Sequence, residues 1–389
     1  MPGLSAPLET EWSLLRAACS EVPAEEKTAR MRGLLDSQVH WNALLSLAEH
    51  HGVQPILAQS LLSFADRVPA EALTTLKGSY QANLHKALLL SSEFVRIADR
   101  LSQAGIEFIP YKGLALAETV YGDIALRQSG DIDLLIHATD LKPVREEVEK
   151  LGYTPQVMLS GHEEEAYLKS GYECAFDGTA GRNLLEVQWA IQPHFYAVDL
   201  DVEGLFGRAQ TVRVAGLEVK ALAAEDLFVV LALHAAKHVW GRLIWLCDLA
   251  RIGKLPTLNW KLIGDQARGL GVVRILRVTL LLKRKLLGST FPASAAENLP
   301  EDSAAGTLAE EVESQISNEK IYDVESLAYF RLMLRLRERR IDQVRFVSRL
   351  VLTPGPAEWA IVRLPKPLAP FYRVIRIARL AARTVGRRI

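Results

Sequence analysis

Ser129-Gly130-Asp131-Ile132-Asp133-Leu134-Leu135-Ile136 is the most informative stretch of this 389-residue chain. After the Ser-Gly turn, acidic and apolar residues alternate, which predicts a strand running into a core. Residues i and i+2 of a strand point to one face, so Asp131 and Asp133 stand side by side at its start. Two hard oxygen donors in that position suit Mg²⁺, which takes a few carboxylates together with phosphate oxygens and water. An acidic pair of this kind also fits a solvated strand end. The continuation into Leu134-Leu135-Ile136 favours the first reading, because it carries the strand into a core.

Upstream, Ile106-Glu107-Phe108-Ile109-Pro110-Tyr111 is short, β-branched and aromatic, and predicts another strand. Lys112-Gly113 follows at once, and Leu114–Tyr121 reads as a short helix closed by Gly122. Glycine at a strand-to-helix turn lets a phosphate approach the backbone, and the helix start offers free N–H groups. Lys112 adds a full charge there. The GxxxxGK[ST] pattern of a P-loop is absent, and a plain tight turn with a solvated lysine is the competing reading. Arg127 is placed to grip a phosphate or to orient Asp131, or else is a surface arginine.

Downstream, Leu141–Leu151 is amphipathic and stops at Gly152. Two strand-like runs follow, Tyr172–Phe176 and Leu184–Ile191, joined as a hairpin through Asp177-Gly178-Thr179-Ala180-Gly181. On the second run Leu184, Glu186 and Gln188 share a face, and Leu185, Val187 and Trp189 share the other. A carboxylate among such neighbours is unusual unless paired or bound to metal. Beside the Asp131 strand, Glu186 would complete a site of three carboxylates; Glu173 is a weaker candidate. The alternative is an ion pair on an exposed sheet face.

Helical patterns flank this α/β unit at residues 105–192. Trp41, Leu44, Leu45, Leu47 and Ala48 fall at helical spacing, and a second pattern runs from about Ala70 to Gln103. A long one spans Ala224 to about Ile252, and residues 289–306 read as a linker. The expected divisions are a helical region at 1–100, the α/β core at 101–215, a helical region completing the cleft at 216–330, and a basic, proline-marked segment at 331–389. In the long pattern, His234, Lys237 and His238 share one helix face. Two histidines at i and i+4 can bind zinc, but the glutamate of HExxH is missing. Asp248 lies about 280° further round an unbroken helix, with Gly241 a place for the path to bend. Satisfied interhelical histidines beside Trp240 or Trp245 are the competing reading.

Charged residues are 24% and hydrophobic residues 49% of the chain, values of an ordinary globular protein that exclude a disordered or collagen-like chain. Three scattered cysteines without a CxxC pair exclude a disulfide framework and a thiolate zinc site. There is no basic-then-apolar leader, and the longest apolar run, Leu227–Ala236, contains His234. A bilayer span needs about 18 or more apolar residues, so the expectation is a cytoplasmic protein without a transmembrane segment. The 46 Lys and Arg balance 46 Asp and Glu, yet the charge is unevenly spread. From Arg331 onward 15 basic residues face 3 acids, Glu338, Asp342 and Glu358. Arg373, Arg376, Arg379, Arg383 and Arg387 form a stripe, with Val374, Ile377, Ala378, Ala381 and Val385 opposite. Such a helix suits an anionic membrane surface, nucleic-acid phosphates, or the acidic remainder of the same chain.

Taken together, these residues carry a resemblance. Tyr111-Lys112-Gly113, Leu116-Ala117, Tyr121, Arg127 and Asp131-Ile132-Asp133-Leu134-Leu135 resemble the signature of the bacterial uncharacterised nucleotidyltransferase family, of the DNA polymerase β superfamily. Trp41, Ala48, His51-Gly52-Val53 and Pro55 resemble its lead-in, and Glu186-Val187-Gln188-Trp189 one of its strands. His234, His238, Trp245 and Asp248 resemble its helical signature, and Trp359, Leu364-Pro365 and Tyr372 its tail. The resemblance implies an α+β fold with a polymerase-β-like core, a small mixed sheet with flanking helices, embedded between helical regions. It also implies Mg²⁺ (or Mn²⁺) on Asp131, Asp133 and Glu186. A nucleoside triphosphate such as ATP would lie at Lys112, Gly113, Arg127 and Ser129, with His234, Lys237, His238 and Asp248 lining the cleft. The implied reaction passes a nucleoside monophosphate to an acceptor hydroxyl that the sequence does not name. A degenerate binding or interaction module of the same fold is the alternative. Two positions depart from the pattern: Leu114 stands where a serine is frequent, and Gln188 where a histidine is usual.

Overall fold

A computed structural model describes residues 9–157, 161–179, 183–317 and 326–384. The central sheet has five strands: β1 (Phe108–Pro110), β2 (Asp131–Ile136), β3 (Thr154–Pro155), β4 (Glu173–Asp177) and β5 (Leu184–Gln188), in the order β1-β2-β5-β4-β3. Only β2 and β5 run parallel; the other pairs are antiparallel. The expected hairpin of β4 and β5 forms, although residues 180–182 of its loop lie outside the described residues. Alternation sends Ile132, Leu134 and Ile136 of β2 and Leu185 and Val187 of β5 into one core. The second half of the helix Ala70–Gln103 and the helix Leu141–Lys150 cover that face of the sheet. Burying each such Ile, Leu or Val contributes roughly 1.5–3 kcal/mol, so this face sets the register. A one-residue slip would drive Asp133 into that core.

The helices that precede and follow the sheet in the chain share one hydrophobic core. Leu14, Leu44 and Leu57 pack in the same cluster as Phe228, Trp240, Leu276, Leu308 and Phe346. The long helix Ala70–Gln103 belongs to both bodies: Leu76 sits in this cluster, Phe94 and Ile97 in that of the sheet. Pro69 precedes it and Gly105, at φ 70°, follows its end. Among the described residues, no helix is long and apolar enough to cross a membrane. The three cysteines are buried.

The structure departs from the sequence reading in three places. The pattern expected as one long helix is two, Ala224–Lys237 and Leu243–Ile252. Val239 and Trp240 between them take left-handed φ values of 53° and 49°, and burial of the Trp240 indole, whose N–H donates to Thr279 Oγ1, holds that turn. The stretch expected as a linker carries the helix Ala293–Asn298 and the start of the helix Ser303–Ser317, with Ala295 and Leu299 buried in the helical core. A two-stranded hairpin that the sequence reading did not foresee, β6 (Gln210–Val214) and β7 (Leu217–Ala221), turns through Ala215 and Gly216. Of the three readings of the arginine stripe, docking on the same chain holds for its middle: on the helix Tyr372–Thr384, Arg376 and Arg379 both donate to Glu358, which is fully buried, while Arg373 is exposed. Val385 and Arg387 of that pattern lie outside the described residues.

Candidate metal centre and cleft

The parallel pairing of β2 with β5 places Asp133 opposite Glu186 and Leu135 opposite Gln188. Because Asp131, Asp133 and Glu186 occupy the alternate positions, they emerge on the sheet face away from the helices that cover the core. Carboxylate oxygens of all three lie within 4.8 Å of one another. Lys112, at the end of the turn after β1, donates from Nζ to Asp133 Oδ1 at 2.7 Å. Burial opposes the ammonium charge, but Asp133 outweighs it and holds Lys112 well above its ordinary pKa. One cation does not neutralise three acids. Burial, and then the charges of Asp133 and Glu173, push Glu186 up to about 8. Burial and the neighbouring Asp133 likewise raise Asp131. Clustered oxygens with surplus negative charge are the donor set a hard divalent cation takes.

Gly113 opens the helix Gly113–Leu116 with φ 49°. A side chain there would stand 2.6 Å from Ser129 Oγ and 3.3 Å from the Asp131 carbonyl. The turn is therefore open to glycine alone, and it presses against the start of β2. Ser129 donates to the Asp131 carbonyl at 3.1 Å. The hydroxyl that Leu114 does not offer thus reaches the turn from a different part of the chain. Arg127 has a different partner from the one expected. It grips the buried Asp248 with two hydrogen bonds, Nε to Oδ1 at 3.0 Å and Nη2 to Oδ2 at 2.9 Å, and Tyr121 adds a third at 2.7 Å. Burial works against the guanidinium, and the Asp248 carboxylate more than offsets it. Arg127 Nη1 also reaches the Gly113 carbonyl at 3.5 Å, which links the helix Leu243–Ile252 to the turn.

Gln188 matters more than its place as a departure suggested. Its Nε2 lies 3.2 Å from Glu186, 3.3 Å from Glu173 and 3.5 Å from Asp133, while its carbonyl accepts from the Tyr111 hydroxyl. It is buried and cross-braces the carboxylates. Glu173 faces it from the neighbouring strand β4 and also accepts from Tyr172. The signal was available in sequence: Gln188 sits two residues beyond Glu186, on the same face.

The carboxylates form one wall of a cavity of about 590 Å³. His234, Lys237, His238 and Trp245 line the opposite wall, with Asp248 beside Arg127. The two histidine rings and Trp245 form an aromatic triangle with centroids 4.8–5.4 Å apart. Burial holds both histidines neutral, His238 at about 3 and His234 well below the usual range. Among the described residues, the acidic triad is the one group of three or more ligating side chains close enough to hold a metal, so the histidine pair has no third ligand for zinc. Lys237 lies over the Tyr172 ring and donates to its hydroxyl at 3.1 Å. Burial lowers Lys237 to about 8. Tyr172, Gln128, Arg242 and His50 also line the cavity and had not been singled out from sequence.

Fold and site together define a class: a small mixed sheet carrying an acidic centre suited to a divalent cation, facing a cleft completed by helices. A family model for uncharacterised nucleotidyltransferases matches residues 37–288, well over half the chain, and the protein belongs to that family. The matched span contains the acidic triad, the Lys112-Gly113 turn and the histidine wall. No curated protein and no solved structure matches the chain.

Proposed function

We propose that the protein is a Mg²⁺-dependent enzyme that passes a nucleoside monophosphate from a nucleoside triphosphate to an acceptor hydroxyl. The observation that carries this reading is the triad of Asp131, Asp133 and Glu186 on paired parallel strands, in a chain of a nucleotidyltransferase family. It accords with kinship to the DNA polymerase β superfamily. In the reaction, the acceptor oxygen bonds to the α-phosphorus, the bond to the bridging oxygen of pyrophosphate breaks, and the acceptor proton leaves to a base or to water. Asp131, Asp133 and Glu186 would hold the cation. Bound there, a divalent ion such as Mg²⁺ or Mn²⁺ supplies Lewis-acid neutralisation of phosphate charge. Lys112 and the amides of the Gly113 turn meet the charge that gathers on pyrophosphate. Gln188 and Tyr111 keep the carboxylates oriented. Across the cavity, Lys237 and the neutral histidines offer hydrogen bonds to the base or the acceptor.

A second reading has one observation in its favour: Lys112 already satisfies Asp133 as an ion pair, as in a binding module that has lost its chemistry. Calorimetry with ATP, CTP, GTP and UTP, with and without Mg²⁺, separates the two, followed by an assay of pyrophosphate release. Metal-dependent binding with release supports the enzyme; binding without release supports the module. Asp131→Asn or Asp133→Asn should abolish transfer and leave the circular dichroism spectrum unchanged. Full transfer by either variant would sink the assignment.

A further inference from the structure

The helix Tyr372–Thr384 is built the wrong way round for an isolated end helix. The middle of its arginine stripe turns into the protein, with Arg376 donating to the Leu350 carbonyl and Arg376 and Arg379 to Glu358. Its apolar side turns out: Val374 and Ile377 are 61% and 45% exposed, and Phe371, just before the helix, is 58% exposed. The neighbouring helix Arg340–Leu352 does the same with Ile341 and Val344. Ten of the seventeen exposed large apolar side chains among the described residues lie between Ile341 and Ile377. Single exposed apolar residues need no explanation, but a concentration of them marks an interaction surface.

The charges on this surface have one sign. The three acids that follow Arg331 are all spoken for inside the structure. Glu338 accepts from the Val273 and Arg274 amides, Asp342 takes Arg339, and Glu358 takes Arg376 and Arg379. Arg340, Arg363 and Arg373 are exposed among the apolar side chains. Aliphatic side chains interleaved with arginines, and no outward carboxylate of this segment, suit the headgroup region of an anionic bilayer. Nucleic acid fits less well. It would select an outward arginine stripe or stacking aromatics, and here the centre of the stripe is turned inward. A second copy paired about a two-fold axis would set this basic surface against itself.

We propose that residues 340–384 form a membrane-surface docking face, on which the protein binds anionic phospholipid peripherally. The test is flotation of the full chain with vesicles of equal parts phosphatidylglycerol and phosphatidylcholine, beside vesicles of phosphatidylcholine alone. The protein should float with the anionic vesicles, and about 0.5 M salt should weaken the association. The double substitution Val374→Asp with Ile377→Asp, both at exposed positions, should lower partitioning by about tenfold or more. Leu262→Asp, exposed elsewhere on the surface, should float like the parent. Circular dichroism checks that each variant is folded. The proposal fails if the parent does not float with anionic vesicles, or if the Val374/Ile377 variant floats equally well. It fails also if that variant instead abolishes a dimer seen without lipid, or if duplex DNA displaces the protein from the vesicles at equal phosphate concentration.

Discussion

The pair of Arg127 and Asp248 offers a quantitative test of how the cleft is held together. Both side chains are buried, at 8% and 1% exposed, and they meet through two short hydrogen bonds. Replacing Asp248 with leucine leaves the guanidinium without its counter-ion and the Tyr121 hydroxyl without its acceptor. Breaking a buried pair by removing one partner costs about 3–5 kcal/mol. Replacing both partners removes the stranded charge, so Arg127→Met combined with Asp248→Leu should recover at least half of that loss. Equilibrium unfolding in guanidinium chloride, followed by circular dichroism on the parent, both single variants and the double variant, closes the cycle. A coupling of about 2 kcal/mol or more is expected for groups in direct contact. Because Arg127 also braces the Gly113 carbonyl, Asp248→Leu should weaken triphosphate binding as well. Additive single and double variants, or a single variant within about 0.5 kcal/mol of the parent, would refute the reasoning.

Three further outcomes are expected. Gly113→Ala should weaken triphosphate binding by about tenfold or more, since its methyl group would strike Ser129 and the left-handed backbone adds about 1–2 kcal/mol of strain. Gly105→Ala, with a similar φ of 70° but no heavy atom within 4 Å, should cost stability alone. Gln188→Leu should preserve the fold and lower Mn²⁺ affinity about 10–100-fold by calorimetry, as loss of a brace behind metal ligands does. His51 is buried and held neutral to about 3 by burial, then by His50 and Arg242. Its folded pKa lies below the ordinary 6.5, so its contribution is intact above pH 6.5 and is lost as pH falls toward 3. The slope is at most about 1.4 kcal/mol per pH unit. His51→Phe should flatten the fall of the melting temperature over that window, and an unchanged slope would count against it.

The acidic centre was readable because its signals are local. Alternation along Asp131–Ile136 specifies the strand and its two faces, and a carboxylate between Leu185 and Val187 stands out by charge alone. The bounds of the helix Ala70–Gln103 follow from Pro69, Gly105 and an unbroken period between them. What escaped depends on distant partners. Arg127 and Asp248 lie 121 residues apart, and nothing near either one names the other. The left-handed turn at Val239-Trp240 uses residues with no preference for that conformation, and packing of the indole imposes it. The β6–β7 hairpin lacks the Asn-Gly or Asp-Gly signal that marks such turns. Periodicity divided the C-terminal helix into two faces but could not say which faces inward. That was decided by Glu358, a single acid fully enclosed nearby.

The helix Ala70–Gln103 has a mechanical consequence. With 34 residues and no proline within it, it is a rod about 50 Å long. One half is cemented into the helical body and the other into the body of the sheet, while the cavity opens between those bodies. Hinge closure around a substrate would have to bend this rod or tear one half from its core. The span of the cleft is accordingly preset, like jaws fixed on a common shaft. Adaptation to different guests is left to the side chains that line it.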